Sequence, residues 1–489
     1  MEKLYDSAAV RVMENAAFAR EDSFAVMQRA GEAAAKHARA MLGGCLRRPV
    51  LALAGGGNNG GDALVAAARL REAGADVRAV FAGRENRAPP DAKRALAEWQ
   101  NGGGKTAREI PPADYALVLD GLFGIGLSRP IGGRFAELIL QTRPFRVLSI
   151  DAPSGVHCDT GCAADASVAA ERTVTFFGAK PGLYTGAGAA LAGKVVVEDL
   201  GFSDFPPPSG FLIRSAAGLN LPRLRRGKNA HKGNFGAAVI AGGTDGMTGA
   251  LALASRAAAR LGAGKVFALC AAANLPPFDS ACPEVMWRRG EDLPQFSNAE
   301  CIAIGPGLGA DENAARLLHA AAGFSAPIVA DADALNILAA DKTLAARFAK
   351  RAAPAVITPH PAEAARLLNC KTAEINQDRI GAAKTLAKQF NAAAVLKGAG
   401  SVIAAENEWA VCAAGNPGLA QAGAGDVLTG IIAALLAQTG DAVFAARAGV
   451  WLHGAAADET ARAAGEIGME LNALPRAAAN ILNRAAALR

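Results

Sequence analysis

The segment from Asn416 to Gly430 holds the residues whose types and spacing best suit chemistry. Gly423, Gly425 and the carboxylate of Asp426 stand directly before an apolar run, Val427–Leu436, that predicts a helix. A glycine turn at a helix N-terminus directs free N–H groups outward, and the helix dipole adds partial positive charge, so this segment suits phosphate. A carboxylate there would repel phosphate unless it took a proton from an attacking hydroxyl, and we interpret Asp426 as that base. The alternative is an Asp that only caps the helix.

Three polar segments of the N-terminal part each follow an apolar run that predicts a strand. They are Gly55–Asp62, Asp120–Pro130 and Asp151–Gly155. The first is neither a G-x-G-x-x-G nor a Walker A sequence, because no Lys-Ser/Thr pair follows it. Each segment alone could be a turn, but three of them at strand ends predict a shared pocket.

The C-terminal part repeats this arrangement at more strand ends. Lys232–Gly236 precedes the first strand of this part, and the segments that follow are Gly242–Gly249, Gly305–Gly309, Asp331–Asn336, Thr358–Glu363, Lys397–Ser401 and Gly423–Asp426. Lys397 is interpreted as a ligand-binding residue because the glycines after it let a ligand approach the backbone. Asp331 and Asp333 are expected to cap the helix that follows their strand. His360, between two prolines, could equally stiffen a turn or contact a ligand.

The elements that must position these residues alternate between short apolar strands and helices. In the N-terminal part the patterns predict helices at Ser7–Ala17, Phe24–Leu42 and Asp62–Ala73, and strands at Pro49–Ala54, Val77–Ala82, Tyr115–Asp120 and Phe145–Ile150. In the C-terminal part they predict a helix at Gly249–Leu261 and strands at Ala237–Ala241, Lys265–Leu269, Cys301–Ile304, Ile328–Ala330, Ala355–Ile357 and Ala394–Leu396. This alternation predicts α/β domains with parallel sheets covered by helices, and ligands beyond the carboxyl ends of the strands.

The three consecutive prolines within Phe205–Gly210 mark the clearest boundary, because proline neither continues a helix nor pairs in a central strand. We therefore expect one domain over residues 1–210 and a second over residues 211–489. A chain of 489 residues is too long for one ordinary core.

Composition excludes several classes of protein. The net charge of +6 is dispersed, so we expect no nucleic-acid partner, although small anionic ligands would suit the chain. No apolar run is long enough to predict a membrane span, and the N-terminus does not read as a secretion signal. The eight cysteines show no zinc spacing and are expected to be reduced thiols in a cytoplasmic protein.

The N-terminal motifs, Asn58-Asn-Gly-Gly-Asp62 followed far downstream by Asp151-Ala-Pro-Ser-Gly155, resemble those of NAD(P)H-hydrate repair enzymes, in which an NAD(P)HX epimerase domain is fused to an ADP-dependent NAD(P)HX dehydratase domain. The resemblance implies a Rossmann-like three-layer N-terminal domain. It implies contacts to the hydrated nucleotide from Asn58, Asn59, Gly60, Gly61, Asp62, Gly124, Ile125, Gly126, Leu127, Ser128, Arg129, Pro130 and Asp151. It also implies K⁺ ligands at Asn59, Asp120 and Ser154, whose oxygen donors suit a hard cation.

The order and type of the C-terminal segments resemble the ribokinase-like fold and, within it, the hydrate dehydratases. The resemblance implies contacts to the AMP part of the nucleotide from Lys397, Gly398, Ala399, Gly400, Ser401 and Gly425. It implies contacts to the hydrate from Ala250, Gly307, His360 and Asp426. Use of ADP follows from the resemblance alone. Mg²⁺ is expected for the phosphoryl transfer, with Glu363 and the phosphate oxygens as candidates to hold it through water.

These patterns predict a catalytic Asp151, which moves the proton of the hydroxyl that leaves and returns at the hydrated ring carbon, and a catalytic Asp426 in the dehydratase. The expected substrates are NADHX, NADPHX and ADP, and the protein is expected to be a homo-oligomer without a membrane partner. Two rivals remain open: a ribokinase-like small-molecule kinase with an accessory domain, and a non-enzymatic N-terminal scaffold for dimerisation or RNA binding.

Overall fold

The computed structural model describes residues 1–44, 48–127, 130–203, 205–275 and 277–487. The chain divides into two compact units: Lys3–Phe211 forms one, and Leu212–Arg489 together with Met1–Glu2 forms the other. Each unit is an α/β structure with its own sheet.

A parallel sheet lies at the centre of the N-terminal unit. The strands in this part of the chain are β1 (Glu2–Leu4), β2 (Val50–Ala54), β3 (Val77–Phe81), β4 (Thr106–Ala107), β5 (Leu117–Gly121), β6 (Val147–Ile150), β7 (Arg172–Phe176) and β8 (Lys194–Glu198). The sheet order is β4-β3-β2-β5-β6-β7-β8, and each neighbouring pair is parallel. The carboxyl ends of β2, β5 and β6 therefore meet at one edge, as the sequence predicts.

Apolar cores lie on both faces of this sheet. Along β2, Val50, Ala52 and Ala54 belong to one core, and Leu51 and Leu53 belong to the other. This alternation follows from the period of two in a strand, and it requires helices on both faces. The helices of the unit are α1 (Ser7–Phe18), α2 (Ser23–Leu42), α3 (Asn58–Glu72), α4 (Pro90–Asn101), α5 (Gly133–Leu140) and α6 (Gly186–Leu191). The predicted three-layer α/β class is confirmed.

The C-terminal unit contains a larger, mixed sheet. Its strands are β9 (Gly210–Ile213), β10 (Ala237–Gly242), β11 (Lys265–Cys270), β12 (Met286–Arg289), β13 (Cys301–Ile304), β14 (Ile328–Ala330), β15 (Ala355–Ile357), β16 (Ala393–Leu396), β17 (Ser401–Ala404) and β18 (Trp409–Cys412). The order β9-β18-β17-β16-β15-β14-β13-β10-β11-β12 places the parallel strands β13 to β16 side by side. The antiparallel pairs β16–β17 and β17–β18, which the sequence analysis does not predict, extend the sheet beyond them.

Helices of the C-terminal unit pack around this sheet. They are α7 (Thr248–Arg260), α8 (Glu312–Ala322), α9 (Asp333–Ala340), α10 (Lys342–Ala349), α11 (Pro361–Leu368), α12 (Thr372–Gln377), α13 (Arg379–Phe390), α14 (Ala424–Thr439), α15 (Ala442–Ala464) and α16 (Leu474–Ala487). Helix α14 is buried along most of its length. The predicted strands of both units agree with the structure to within two residues at each end.

Two further findings concern the described residues. None of the helices among them is long and apolar enough to cross a membrane. The cysteines that fall within the described ranges are free thiols, as expected; Cys45 lies outside those ranges.

Candidate functional site

In the N-terminal unit, Asp151 stands immediately after β6 and points one oxygen at a buried lysine. Its Oδ1 lies 2.6 Å from Lys180 Nζ and also accepts a hydrogen bond from Thr175 Oγ1 at 3.2 Å. Its Oδ2 accepts from the backbone N–H of Ile125 at 3.2 Å. The backbone of Asp151 is left-handed, with φ of 66°, which is uncommon for a residue other than glycine. Oδ1 is therefore held in place by Lys180 and Thr175, and Oδ2 faces the loop after β5.

The loop after β5 brings more of the predicted substrate residues to Asp151. A Cβ placed on Gly124 would lie 2.9 Å from Asp151 Oδ2 and 3.2 Å from Asn59 Cγ, so Gly124 separates these two side chains. The N–H of Leu127 donates to the Gly124 carbonyl at 3.3 Å and closes a turn. Pro130 is exposed, and Gly126 has open space around it. The predicted contacts Ser128 and Arg129 lie outside the described residues.

Two of the predicted cation ligands, Asp120 at the end of β5 and Ser154, are in direct contact. Asp120 is fully buried, and its oxygens accept from Ser154 Oγ at 2.6 Å, Ser154 N–H at 2.8 Å and Ser149 Oγ at 2.8 Å. Burial raises the pKa of Asp120, and the Ser154 and Ser149 hydrogen bonds act against this rise. The side chain of Asn59 faces Gly124, and both of its polar atoms are buried without a hydrogen-bond partner. An unsatisfied buried amide oxygen, with carboxylate and hydroxyl oxygens as the other two donors, fits a monovalent cation.

The segment Asn58 to Asp62 belongs to helix α3 and is not a loop that precedes it, so the prediction of a helix starting at Asp62 is wrong. The helix begins at Asn58, after Gly57, and the cap residue gives no side-chain hydrogen bond. Gly60 and Gly61 are buried: a Cβ on Gly60 would lie 2.0 Å from the Gly55 carbonyl oxygen. The glycines therefore let the first turn of the helix pack against the end of β2. Burial, and then the charges of Asp151 and Glu14, raise the pKa of Asp62 well above its ordinary value.

In the C-terminal unit, Asp331 connects two strand ends to a helix. Asp331 follows β14 and is 1% exposed; its Oδ1 lies 2.6 Å from Lys397 Nζ, at the end of β16. Its Oδ2 accepts from Thr429 Oγ1, on α14, at 2.6 Å. The expectation that Asp331 caps a helix is wrong, because both oxygens have these other partners. Asp333 does not cap either: its Oδ2 accepts from the N–H of Gly309 at 2.8 Å.

Asp426 lies in the first turn of α14, and the N-cap of that helix is Gly423, with φ of 94°. No side chain caps this end of the helix, so the interpretation of Asp426 as an N-cap is wrong and the first N–H groups stay available to an anion. Burial raises the pKa of Asp426 to about 6, with a further contribution from Asp331, while Lys397 acts in the opposite direction. Such a carboxyl group is poised to exchange a proton near neutral pH.

Lys397 faces this helix end and a third carboxylate. A Cβ on Gly425 would lie 3.4 Å from Lys397 Nζ, and Glu363 Oε2 is 3.8 Å from the same nitrogen. Burial lowers the Lys397 pKa, but the charges of Asp331 and Glu363 outweigh it, so the pKa is raised and the ammonium stays charged. Burial raises the Glu363 pKa to about 7.

His360 caps helix α11, as the turn interpretation predicts, and its contact with the hydrate stays a prediction. Its Nδ1 accepts from the N–H groups of Ala362 and Glu363, and Glu363 Oε2 accepts from the His360 N–H at 2.7 Å, which completes a capping box. Burial and the charge of Lys397 lower the His360 pKa, in agreement with a neutral ring whose Nδ1 accepts. The ring remains 47% exposed, so a ligand can still reach it.

The remaining predicted contacts form two glycine-lined surfaces. A Cβ on Gly307, whose φ is 59°, would lie 3.1 Å from Ala250 Cβ, so these two predicted hydrate contacts are adjacent. The predicted AMP-binding residues after Lys397 make the turn from β16 to β17; they are Gly398, Ala399, Gly400 and Ser401. Ser401 Oγ donates to the Gly398 carbonyl at 3.0 Å.

Three residues that the sequence analysis misses support these sites. Lys180 holds Asp151, Thr429 holds Asp331, and Arg379 donates to the carbonyls of Leu396 at 3.2 Å and Lys397 at 3.1 Å. A lysine in the sequence Ala179-Lys-Pro-Gly182, directly after a strand, is a signal that could have found the first of them. Thr429 lies within the Asn416–Gly430 segment, but its partner Asp331 is distant in the sequence; Arg379 begins helix α13 without a local motif.

The residues expected to hold K⁺ suit that cation better than the residue expected to hold Mg²⁺ suits its own. The Asn59, Asp120 and Ser154 oxygens fit K⁺ for the reason given above. Glu363 fits Mg²⁺ poorly, since its carboxylate is occupied by the capping box and by the ammonium 3.8 Å away. Within the described ranges, no group of three or more His, Cys, Asp and Glu side chains is arranged to hold a metal ion.

The fold and the strand-end sites define a two-domain α/β protein, and comparison with known proteins identifies both domains. A family described as YjeF-related protein N-terminus matches residues 23–182, and a family described as NAD(P)H-hydrate dehydratase matches residues 238–480. A solved ribokinase-like superfamily protein from Enterococcus faecalis is 25% identical, covers 58% of this chain and 99% of its own, and superposes with a TM-score of 0.50. The predicted ribokinase-like fold of the second domain is thereby confirmed.

Relatives of known name span almost the whole chain. The bifunctional NAD(P)H-hydrate repair enzyme of Escherichia coli is 38% identical over 91% of this chain and 87% of its own length. That of Coxiella burnetii is 35% identical over 96% of this chain and 97% of its own. The chain therefore belongs to the family of bifunctional NAD(P)H-hydrate repair enzymes.

Proposed function

We propose that this chain repairs hydrated nicotinamide nucleotides by two activities. Residues 1–210 interconvert the R and S forms of NADHX and NADPHX, and residues 211–489 convert the S form to NADH or NADPH at the expense of ADP. The observation that carries the proposal is the position of Asp426 at an uncapped helix N-terminus, with a pKa near 6 and with Lys397 nearby. We also propose that the protein acts in the cytoplasm as a homo-oligomer.

In the epimerase domain, Asp151 acts on the hydroxyl of the hydrated ring carbon. The adjacent ring nitrogen supplies the electron pair that breaks the C–O bond, and Asp151 Oδ2 passes a proton to the departing oxygen, which leaves as water. Water then adds to the other face as the carboxylate takes its proton, so atoms and charge balance over the cycle. The geometry that supports this role is the free side of Oδ2, which faces Gly124 and Ile125.

K⁺ would be held by Asn59, Asp120 and Ser154, and when bound it supplies positive charge for the nucleotide's phosphates. The buried, unsatisfied amide of Asn59 is the observation that favours a cation here. Gly60 and Gly61 keep the first turn of α3 close to this cluster, where backbone N–H groups can also meet phosphate.

In the dehydratase domain, Asp426 takes the proton of the ring hydroxyl as that oxygen attacks the terminal phosphorus of ADP. AMP leaves, and the C–O bond now carries phosphate in place of hydroxide as its leaving group. The ring nitrogen expels the phosphate, and loss of a proton from the neighbouring ring carbon restores the reduced nicotinamide. Lys397 and the first N–H groups of α14 neutralise phosphoryl charge. We expect Mg²⁺ to enter as the counter-ion of ADP.

The test mixes purified R and S NADHX with the full-length protein, K⁺, Mg²⁺ and ADP, and follows the absorbance of NADH. Complete recovery of NADH supports both activities. Recovery of the S fraction alone, beyond slow spontaneous epimerisation, would contradict the proposal for the N-terminal domain. A stable phosphorylated product in place of AMP and free phosphate would favour a small-molecule kinase.

A further inference from the structure

A completely buried lysine lies beside Asp151 and is not explained by the proposed chemistry so far. Lys180 is 0% exposed, and all three protons of its ammonium group have an acceptor. The acceptors are Asp151 Oδ1 at 2.6 Å, Thr175 Oγ1 at 2.7 Å and the Phe176 carbonyl at 2.8 Å. Burying a charged pair contributes little to stability compared with an apolar pair of similar size, so this arrangement suggests a function beyond folding.

The two carboxylate oxygens of Asp151 have different hydrogen-bond partners. Oδ1 accepts from Lys180 and Thr175, both of which are buried. Among the described residues, Oδ2 accepts only a 3.2 Å hydrogen bond from the backbone N–H of Ile125, on the side of the Gly124 loop. The lysine thus anchors the carboxylate from behind and leaves its second oxygen directed at the predicted substrate loop.

Acidic side chains surround this pair. Burial, and then the charge of Asp151, raise the pKa values of Glu14 and Asp62. Burial and the charge of Asp151 also raise the pKa of the Cys158 thiol. Lys180 is in direct contact with Asp151 and places a buried positive charge beside this group of acids.

We propose that Lys180 is a positioning residue of the epimerase site: it fixes Asp151 Oδ1 and its charge, so that Oδ2 alone exchanges the proton with the ring oxygen. Lys180 neither gains nor loses a proton in this step. The inference rests on the proposed role of Asp151. Thr175 serves the same end, since its hydroxyl contacts both the ammonium and Oδ1.

The experiment measures epimerisation of purified R-NADHX to the S form by chromatography, without ADP, over a range of pH. The variants are Lys180→Met, Lys180→Arg, Thr175→Val and Asp151→Asn in the full-length protein. Thr173→Val is the matched control, because Thr173 is buried on the same strand and its hydroxyl donates to the Ala192 carbonyl at 2.7 Å. Thermal unfolding of each purified variant reports whether the N-terminal unit is folded.

We expect Lys180→Met to lower kcat about 100-fold, with KM nearly unchanged, because misplacing a reacting group costs about that much. Thr175→Val should lower kcat about 10-fold. In both, the pH profile of kcat should differ from that of Thr173→Val, because Asp151 Oδ1 loses a buried hydrogen-bond donor. Lys180→Arg should recover part of the rate, and Thr173→Val should behave as the parent protein.

Two outcomes would overturn the assignment. If Thr175→Val and Lys180→Met keep the parent kcat and pH profile while Asp151→Asn is inactive, Lys180 has no positioning role although Asp151 still acts. If Lys180→Met loses activity equally at every pH and Thr175→Val matches Thr173→Val, the lysine is structural only. Full activity in Asp151→Asn would instead contradict the proposed function of Asp151 itself.

Discussion

Lys397 Nζ lies 2.6 Å from Asp331 Oδ1, and Thr429 Oγ1 holds the other oxygen of the same carboxylate at 2.6 Å. One carboxylate thereby ties together the ends of strands β14 and β16 and the first turns of helix α14. The same carboxylate raises the pKa of Asp426, whereas Lys397 lowers it. The reactivity of Asp426 is consequently set by residues about 30 and 95 positions away in the sequence.

Replacing Asp331 with Asn should shift the pH dependence of dehydration. Removal of this negative charge favours the ionised form of Asp426, so the acid side of the pH profile should move below its parent position near pH 6. The measurement is kcat/KM for S-NADHX against pH. Thr429→Val is the control, because it removes one hydrogen bond and keeps the charge. An unchanged profile in Asp331→Asn would show that these two carboxylates do not interact.

Replacing Asp426 with Asn should abolish dehydration and stabilise the fold. Loss of a general base costs roughly 10²- to 10⁴-fold in rate. Because the pKa of Asp426 is raised to about 6, the native state binds the proton more tightly than the unfolded chain does. Its ionised carboxylate therefore destabilises the fold increasingly as pH rises from the ordinary Asp range through about 6. Above that pH, the Asn variant should gain about 3 kcal/mol in free energy of unfolding.

Denaturant unfolding at two pH values and the dehydration rate test this pair of effects. The stability gain should be present at pH 8 and nearly absent at pH 4, and R-to-S epimerisation by the same variant should be normal. A variant that is less stable than the parent at pH 8 would contradict the argument from the raised pKa.

Replacing Gly124 with Ala should impair epimerisation without unfolding the protein. The added methyl would lie 2.9 Å from Asp151 Oδ2 and 3.2 Å from Asn59 Cγ, so both side chains must move. We expect kcat to fall by roughly 10- to 100-fold, since small displacements of a reacting group are costly. Gly132→Ala, which meets nothing within 4 Å, is the matched control. Equal rates in the two variants would show that Gly124 does not lie beside the reacting groups.

Exchange of K⁺ for a large organic cation should slow epimerisation and leave dehydration unaffected. The buried Asn59 amide lacks a partner, and the neighbouring oxygens of Asp120 and Ser154 are too enclosed for a bulky ion. Titration of K⁺ into a salt-exchanged sample should restore the R-to-S rate hyperbolically. Ser154→Ala should raise the K⁺ concentration needed, because it removes one oxygen donor. A rate that is independent of the cation would remove the argument for K⁺.

The sequence predicted the parallel sheets and the strand ends that carry polar residues, because alternating apolar runs and glycine turns are local signals. It could not predict the partners of Asp331 and Asp333, which depend on Lys397, Thr429 and Gly309 becoming neighbours only in the folded chain. From neighbouring residues alone, helix capping was the expected role of these two acids. In the folded chain their carboxylates instead bind residues that are distant in the sequence.

The start of helix α3 is a second feature that depends on tertiary packing and could not be predicted from the sequence. The glycines after Asn58 and Asn59 predict a loop, because glycine disfavours helix interiors. Close packing of Gly60 on the Gly55 carbonyl and of Gly61 on Met27 instead makes glycine necessary inside the first turn. Lys180 was missed for a related reason: the sequence Ala179-Lys-Pro-Gly182 marks the lysine, but its burial depends on pairing with Asp151, which is distant in the sequence.

Asp151 has a left-handed backbone, with φ of 66°. The residues that the fold tolerates at this position therefore differ from the one that catalysis requires. Glycine adopts this conformation without steric cost, and Asn adopts it more readily than most residues. In a mutational scan read out by protein abundance, Asn, which tolerates this conformation and keeps a side-chain oxygen for the buried Lys180, should therefore rank above the other substitutions at position 151. In the same library selected for growth that depends on repair of the R hydrate, only Asp should persist, so comparison of the two rankings would expose this site without any assay of the purified protein.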